Sequence, residues 1–412
     1  MGPMVRFKAN DGSDFPDWEE KTLGEVCFIN PRADALEDEF YYMDLGCVDR
    51  GMWKKPEVVS KKNAPSRAQR VAQIGDVFFQ SVRPYNMGHY HYTNKMDKQV
   101  VASTGYIQAR MKNGCNAFLY QMFYEERFNV EVSMRFTGSN YPAITANKFS
   151  EIVAPFPSLP EQRKIADFLS AVDAVIAAQQ TEVDAWEQRK KGVMQRLFSQ
   201  EVKFKADDGS EFPAWEERAF WDVLANLTNN TLSRECLNTE SGQARNIHYG
   251  DVLIKYGAVV DVQKDCIPFI NLDVECNRWD CLKNGDVVIA DTAEDETVGK
   301  AVEISNIGSD VVYSGLHTIA CRPKEKFAPG YLGYYINSMS YHDQLHPYMQ
   351  GIKVTSVSKS NIGLTHILIP SLSEQRKIAD CLASMDEVIQ KAKSELVKWQ
   401  ELKKGLLQQM FV

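Results

Sequence analysis

The stretch Pro157–Leu169, with the sequence PSLPEQRKIADFL, returns as PSLSEQRKIADCL at Pro370–Leu382, and eleven of the thirteen letters are identical. A second stretch, VRFKANDGSDFPDWEE from Val5, returns as VKFKADDGSEFPAWEE from Val202, with twelve of sixteen letters identical. The long segments between these copies differ from each other. The chain therefore repeats two kinds of segment and varies the segments between them. This pattern predicts two related units with different surfaces.

Each copy of the first stretch begins a predicted long helix. Ser158-Leu-Pro-Glu161 and Ser371-Leu-Ser-Glu374 match the S-x-x-E capping box, in which serine and glutamate each bond to a backbone N–H. Apolar residues then recur at alternating spacings of three and four, which predicts one apolar stripe per helix. A helix of roughly forty residues is about 60 Å long, and a single stripe needs a partner. We expect an antiparallel pair of these helices; the alternative partner is another subunit.

The repeats also divide the chain into segments. Two regions, 26–156 and 223–369, share an outline of short strands and turns, and the helical segments follow them. The predicted segments are an N-terminal arm (1–25), a first globular domain (26–156), a central helix (157–201), a repeated arm (202–222), a second globular domain (223–369) and a C-terminal helix (370–412). The fold class is α+β, with two mixed, β-rich domains separated by the helix pair and a cyclic, pseudo-twofold order of parts.

Three glycine-led phrases predict buried strands within the globular domains. They are GDVFF from Gly75, GDVLI from Gly250 and GDVVI from Gly285, each a turn signal followed by an apolar run. Aromatic, helix-like stretches follow at 118–124 and 331–336. The two domains are thus expected to share a core while their loops differ.

The bulk composition is that of a globular protein in a reducing compartment. The chain has 412 residues, 44% of them hydrophobic and 25% charged. Its apolar runs fall short of the ~20 residues that cross a bilayer, and no secretory signal begins the sequence. The nine cysteines form no CxxC pair, so reduced thiols are expected rather than disulfides or zinc ligands. These features predict a cytoplasmic protein.

The order of domain, P-S-L-x-E-Q-x-K-I-A-D helix, domain and helix resembles the specificity subunit of Type I restriction-modification enzymes. The resemblance covers nearly the whole chain. It implies that each globular domain is a target recognition domain for one half of a split sequence in double-stranded DNA, and that the helices set the spacer. It further implies that arms and helices dock two methyltransferase subunits, and that motor-nuclease subunits join the full complex. No cofactor is expected in this chain, with S-adenosylmethionine and ATP/Mg on the partners.

Polar loops of the globular domains are the candidate DNA-contacting surfaces, because Arg, Lys, Asn, Gln, Ser and Thr are the usual readers of base edges. An ordinary solvated loop is the alternative for each residue. His89 and His91 could suggest a metal pair, but alternation along a strand explains them better. The candidate DNA-binding residues are Arg83, Tyr85, Asn86, His89, Arg135, Ser139, Asn140, Tyr141, Lys353 and Thr355.

Apolar and aromatic residues of the arms and helices are candidates for partner docking or helix packing. For the arms, a small local cluster and a subunit-docking surface are equally good interpretations. If the order of parts is cyclic, the first arm should lie beside the end of the second helix. The candidates are Phe7, Trp18, Phe204, Trp215, Ile165, Leu169, Trp186, Ile378, Leu382 and Trp399.

The charge balance argues against tight DNA binding by this chain alone. The net charge is −8, whereas contact with phosphates favours basic surfaces. Region 26–156 has sixteen Lys and Arg against thirteen Asp and Glu, or +3, but region 223–369 has twelve against seventeen, or −5. The partners are therefore expected to supply phosphate contacts.

Enzymatic functions lack support in the sequence. There is no G-x-x-x-x-G-K-[ST] phosphate loop and no N-P-P-[FY] methyltransferase motif. The acidic run Glu294–Glu296 near Lys300 is a weak candidate for a nuclease site, since acidic surface loops are common. A non-catalytic subunit is expected, and the alternative function is a two-headed protein-interaction scaffold.

Overall fold

The computed structural model of the chain describes residues 3–32, 34–49, 51–138, 140–276, 278–351 and 354–411. The chain forms two compact units. Unit 1 combines residues 1–181 with residues 393–412, and unit 2 is the continuous segment 182–392. Both division points fall inside long helices, so each unit contains part of both helices.

Unit 1 contains twelve strands among its described residues, mostly short. Its elements are β1 (Glu19–Thr22), α1 (Leu23–Val26), β2 (Cys27–Ile29), β3 (Glu39–Met43), β4 (Val48–Asp49), β5 (Met52–Trp53), β6 (Glu57–Ser60), β7 (Ala68–Val71), β8 (Val77–Gln80), β9 (Tyr90–His91), β10 (Gln99–Ser103), β11 (Tyr106–Met111), α2 (Asn116–Met122), α3 (Glu126–Ser133), α4 (Ala146–Ser150), β12 (Val153–Phe156) and the beginning of α5 (Leu159–Phe198).

Two four-stranded sheets form the centre of unit 1, with strand orders β6-β3-β10-β7 and β2-β11-β8-β9. A separate antiparallel pair joins β1 of the arm to β12, the strand that leads into α5. The largest core lies between the second sheet, α2 and the long helices. Phe79 of β8 and Phe118 of α2 are fully buried there, as is Leu169 of α5.

Unit 2 repeats this plan with a larger sheet. Its elements are β13 (Glu216–Ala219), α6 (Phe220–Val223), β14 (Leu224–Leu227), β15 (Leu237–Asn238), β16 (Arg245–Ile247), α7 (Tyr249–Ile254), β17 (Val259–Asp261), β18 (Phe269–Ile270), β19 (Val287–Ala290), β20 (Thr292–Ala293), β21 (Ala301–Ser305), β22 (Val312–Ser314), β23 (Thr318–Pro323), α8 (Tyr331–Ile336), α9 (Met339–Leu345), β24 (Thr355–Ser356), α10 (Lys359–Ile362), β25 (His366–Ile369) and the beginning of α11 (Leu372–Met410).

The sheets of unit 2 have the orders β14-β23-β19-β21-β17 and β15-β18-β16-β22. The arm strand β13 pairs with β25 before α11, as β1 pairs with β12 before α5. Two of the three predicted glycine-led strands are confirmed as β8 and β19. In both, an aspartate side chain accepts the backbone N–H of the residue three before it: Asp76 bonds to Gln73 N and Asp286 to Lys283 N, each at 2.7 Å.

The strand predicted from Gly250 is wrong, because this phrase forms the helix α7. His248 follows the strand β16 and caps the helix, its Nδ1 accepting the backbone N–H of Gly250 at 3.2 Å. Asp251 lies inside the first turn, and its carboxylate binds Arg234 at 2.7 Å. A histidine cap two residues before the glycine thus distinguishes this phrase from the other two.

The long helices pair within each unit. In unit 1, Asp173 of α5 binds Lys403 of α11 with an N–O distance of 2.6 Å. In unit 2, Lys190 of α5 binds Asp386 of α11 at 2.5 Å. The beginning of one helix lies beside the end of the other in both units, so the predicted antiparallel pairing is confirmed.

The predicted cyclic order of parts is also confirmed. The backbone N–H of Val5 in the arm donates to the carbonyl of Gln409 near the end of α11, at 3.0 Å. Phe411 is buried in the core of unit 1, with its ring 5.2 Å from the ring of Phe118 and 6.2 Å from that of Trp18. The two ends of the described chain therefore complete the same unit.

The capping boxes predicted at the two helix starts do not form as expected. The Ser158 hydroxyl is buried without a hydrogen-bond partner among the described residues, whereas the Ser371 hydroxyl accepts the N–H of Glu374 at 3.3 Å. The glutamates bind the arms instead. Glu161 accepts two bonds from Arg6 at 2.8 and 2.9 Å, and Glu374 accepts one from Trp215 Nε1 at 3.0 Å.

Most candidate docking residues of the arms and helices have packing roles inside a unit. Phe7 lies edge-on to Phe168, and Phe204 and Trp215 pack against the core of unit 2. Trp186 and Trp399 are half-buried on the helices. The four helix residues buried in the cores are Ile165, Leu169, Ile378 and Leu382. Their predicted role in partner docking stays a prediction.

Among the described residues, no helix is long and apolar enough to cross a membrane.

Replacing Phe411 by alanine should destabilise unit 1 selectively, because it removes a buried ring from that core. Loss of a buried Phe typically costs about 3–5 kcal/mol in free energy of unfolding. Hydrogen exchange resolved along the chain should show lost protection in β8 and α2 and little change in β19. The matched control is Phe198→Ala, the repeat equivalent, which is buried in the core of unit 2 and should give the opposite pattern. Equal losses in both units would contradict the assignment of Phe411.

Candidate nucleic-acid interface

Two loops of unit 1 that carry candidate DNA-binding residues are held together by backbone contacts. Ile144 N–H donates to Ser81 O at 3.0 Å, and Arg83 N–H donates to Pro142 O at 2.8 Å. Val82 and Ala143 form an isolated bridge between these bonds. We refer to the described residues of these loops, 81–89, 137–138 and 140–144, as loop pair 1.

The first loop of this pair is supported from below by Gln80, the last residue of β8. Its side chain is buried, and its Nε2 donates to the carbonyl of Val82 at 2.9 Å. Its Oε1 accepts the backbone N–H of Gly88 at 2.9 Å, and a Cβ at Gly88 would lie only 2.3 Å from that oxygen. A larger residue at this position would therefore displace the Gln80 amide from its bond to the loop.

The outer surface of loop pair 1 is aromatic and polar. The guanidinium carbon of Arg83 lies 4.5 Å from the centre of the Tyr141 ring, a cation–π contact. Tyr85 and Tyr141 are 58% and 67% exposed, and Asn86 and Asn140 are exposed beside them. Five residues predicted from two separate stretches of sequence thus share one surface.

The other candidates in unit 1 have different positions. The side chain of Arg135 bonds to α3: its Nη1 donates to the carbonyl and the carboxylate of Glu131 at 2.7 and 2.6 Å. Ser139 lies outside the described residues.

His89 is fully buried, and this conflicts with its predicted contact to DNA. Its Nδ1 accepts the backbone N–H of Gln80 at 3.1 Å, and its ring stacks on Phe79 with 4.3 Å between centres. Burial lowers the pKa of His89 from its usual 6.5 to about 3. His91 stacks on Tyr120, and no cluster of potential metal ligands occurs among the described residues. His89 therefore supports the loop from inside the core.

Unit 2 contains an equivalent loop pair, whose described residues are 291–299, 350–351 and 354–357. Val357 N–H donates to Asp291 O at 2.9 Å, as Ile144 does to Ser81 in unit 1. The strands β20 and β24 pair Ala293 with Thr355. Thr355 lies in this loop pair 2, while its predicted neighbour Lys353 lies outside the described residues.

The side chains of loop pair 2 differ in charge from those of loop pair 1. His317 Nδ1 lies 3.4 Å from a carboxylate oxygen of Asp291, and Thr292 donates to Asp291 at 2.8 Å. The candidate nuclease cluster is not formed: Asp295 accepts bonds from Thr297, and Lys300 donates to the carbonyls of Leu253 and Tyr256. Sequence reasoning did not identify His317 as a site residue; its position beside Asp291 and its positive φ of 53° are seen only in the structure.

Comparison with known proteins agrees with the duplicated architecture. Residues 16–185 match the family described as Type I restriction modification DNA specificity domain. The Type I restriction enzyme MjaVIII specificity subunit of Methanocaldococcus jannaschii is 22% identical, over 97% of this chain and 94% of that protein.

Solved structures share the fold. A chain from a study of complex assembly and conformational transition of the type I R-M system gives a TM-score of 0.55 at 20% identity, covering 96% of this chain and 98% of that chain. The S subunit of a Type-I restriction-modification system from M. genitalium gives 0.54 at 14% identity, covering 100% and 99%. Residues 16–185 therefore match a Type I restriction modification DNA specificity domain, and nearly the whole chain is similar to a Type I specificity subunit.

The buried histidines predict acid sensitivity of unit 1. The pKa of His89 is lowered to about 3 and that of His91 to about 4, both by burial. The unfolded chain regains the usual pKa of about 6.5, so unfolding takes up protons below that pH. The free energy of unfolding of unit 1 should therefore be largest above pH 6.5 and fall as the pH decreases toward the folded-state values.

Urea unfolding at pH 7 and pH 5, with hydrogen exchange to follow unit 1, measures this effect, since ordinary carboxylates with a pKa of about 4 stay ionised in that window. His89→Phe should lower stability at pH 7, because Gln80 loses an acceptor, but should reduce the difference between the two pH values. An unchanged difference would contradict the role of His89.

Proposed function

We propose that this chain recognises an asymmetric, bipartite sequence in double-stranded DNA, with loop pair 1 and loop pair 2 each contacting one half. The observation that carries the proposal is that equivalent backbone bonds build both loop pairs, Ile144 to Ser81 and Val357 to Asp291. The frame is duplicated but the exposed side chains are not, as two different half-sites require. Regions 26–156 and 223–369 are the proposed target recognition domains.

The chemistry of the loop surfaces suits base recognition. Base edges in the major groove are read by hydrogen bonds from Arg, Asn, Gln, Ser and Thr side chains. Loop pair 1 presents Arg83, Asn86 and Asn140, whereas loop pair 2 has the half-buried Thr292 and Thr355 and the exposed acidic residues 294–296. A half-site read through arginine and amide groups differs from one read through hydroxyls, which supports an asymmetric target.

The long helices are the proposed spacer. The helices α5 and α11 have 40 and 39 residues. Helices of that length are about 60 Å long, which corresponds to roughly 17 base pairs at ~3.4 Å per pair. Two half-sites and an unread segment fit within this length.

The arms and the outer helix faces are the proposed docking surface for two methyltransferase subunits. Phe168 and Val175 are 40% and 38% exposed and lie seven residues apart on α5, so they share one face. Val388 on α11 is the repeat equivalent of Val175 and is 39% exposed. Methylation would use S-adenosylmethionine on these partners, and cleavage would use ATP and Mg²⁺ on motor-nuclease subunits.

Methylome sequencing of a host that carries this chain with its methyltransferase partner tests the function. We expect methylation at a split sequence with two different halves and a constant unread spacer. A host with the partner but without this chain is the control and should lack that methylation. A palindromic target, or methylation without sequence preference, would contradict the proposal.

DNA binding by the isolated chain should be weak, because the second globular domain has a net charge of −5 from twelve basic and seventeen acidic residues. Phosphate contacts supply most of the affinity of DNA-binding proteins and depend strongly on salt. Fluorescence anisotropy with a target duplex, at matched salt, should show at least tenfold tighter binding once the methyltransferase partner is added. Equal affinity with and without the partner would contradict this prediction.

A further inference from the structure

We propose that Arg83 reads a guanine in the half-site contacted by unit 1, and that Tyr141 is the positioning residue that holds its guanidinium group. The inference rests on the proposed function and names the chemistry of one half-site. Three observations support it: the Arg83 side chain forms no ion pair among the described residues, its backbone is held by hydrogen bonds, and its guanidinium group contacts the Tyr141 ring.

Arg83 is a cation without a counterion among the residues that the structure describes. Arg110 binds Asp76 at 2.6 Å and Arg135 binds Glu131 at 2.6 Å, so these two arginines of unit 1 are neutralised within the protein. Among the described residues, Arg83 forms no ion pair, and its charged group contacts the ring of Tyr141. Its hydrogen-bond donors are therefore available to an external acceptor.

The backbone of Arg83 is held in an unusual conformation. Its φ is 50°, in the left-handed region that residues with a side chain rarely adopt. The carbonyl of Arg83 accepts a bond from the buried Gln80 side chain, and its N–H donates to Pro142. Pro84 follows directly and restricts the next turn. Such support fixes the loop before any ligand binds, which lowers the entropic cost of binding.

The free end of the guanidinium group has the geometry that guanine requires. The Nε atom of Arg83 is buried and has no partner among the described residues, so only the two Nη groups can meet a ligand. Two parallel N–H donors match the O6 and N7 acceptors of guanine in the major groove, the commonest specific contact of arginine with DNA. The Tyr141 ring, 4.5 Å from the guanidinium carbon, occupies one side of the group and thereby limits the space in which it can move. Lysine would retain the charge but not this planar fork.

The equivalent position in unit 2 carries no arginine. Since Ser81 and Asp291 accept equivalent bonds, Arg83 corresponds to Ala293, which is buried and paired with Thr355. The inferred guanine contact therefore belongs to one half-site only.

The test uses the reconstituted complex of this chain with its methyltransferase partner, and the target obtained by methylome sequencing. Binding is measured for duplexes that carry each base at each position, with the wild type, Arg83→Lys, Arg83→Ala, Tyr141→Phe and Tyr141→Leu. We expect both Arg83 variants to lose preference for guanine at one position of one half-site by about 10-fold or more. Tyr141→Phe should retain the preference, and Tyr141→Leu should weaken it.

Replacing that guanine by 7-deazaguanine removes the N7 acceptor alone. It should weaken binding of the wild type about 10-fold and have little effect on Arg83→Ala, because the contact is already absent. Arg67→Ala, an exposed arginine of the same unit, is the charge-matched control and should leave every base preference unchanged.

Several outcomes would overturn the inference while the proposed function stands. They are a uniform loss of affinity across all sequences in Arg83→Lys, which indicates a phosphate contact, unchanged base preferences in both Arg83 variants, or equal effects of 7-deazaguanine on the wild type and Arg83→Ala. A wild-type complex without any sequence preference would instead reject the proposed function itself.

Discussion

The structure depends on the burial of the last turn of α11 in the core of unit 1. Leu407, Met410 and Phe411 are almost fully buried there, beside residues of the second sheet and of α5. Removing three large apolar side chains from water contributes several kcal/mol, at roughly 1.5–3 kcal/mol each. This packing joins the two ends of the described chain in one unit, and it gives unit 1 the same pair of helix segments that unit 2 has. The first arm contacts the same turn, since the backbone N–H of Val5 donates to the carbonyl of Gln409.

The repeat encodes its own ion pairs in reciprocal form. Asp173 and Lys190 on α5 have Asp386 and Lys403 as their repeat equivalents on α11. The structure pairs Asp173 with Lys403 and Lys190 with Asp386, so each helix supplies the acid of one pair and the base of the other. Both pairs are partly buried, where a charge that loses its partner is costly. One duplicated pair of residues thus serves as two complementary pairs, and a shift of one helix along the other would break both.

The sequence predicted the architecture better than the site. The repeats predicted the antiparallel helices and cyclic order because these depend on apolar spacing and on equivalence between copies. Contacts for which two groups compete were missed. Glu161 was expected to cap α5 but binds Arg6, since a guanidinium group is a stronger partner for a carboxylate than a backbone N–H. His89 was placed on the surface because its loop is polar, yet stacking on Phe79 puts it in the core. Arg83 and Tyr141 were both named, but their contact depends on a bridge between residues about sixty apart in sequence, which no local pattern indicates.

The discontinuity of unit 1 has a consequence for the order in which the chain folds during translation. Domains generally fold as units while the ribosome releases the chain from its N-terminal end. Unit 2 is the continuous segment 182–392, so all its residues are available before synthesis of the chain is complete. Unit 1 contains residues made before unit 2 and also the helical turns 393–411 made after it, and its core stays open to solvent until those turns emerge. Unit 2 can therefore complete its fold before unit 1 does. Until Phe411 is made, the part of unit 1 that it packs against stays exposed to solvent.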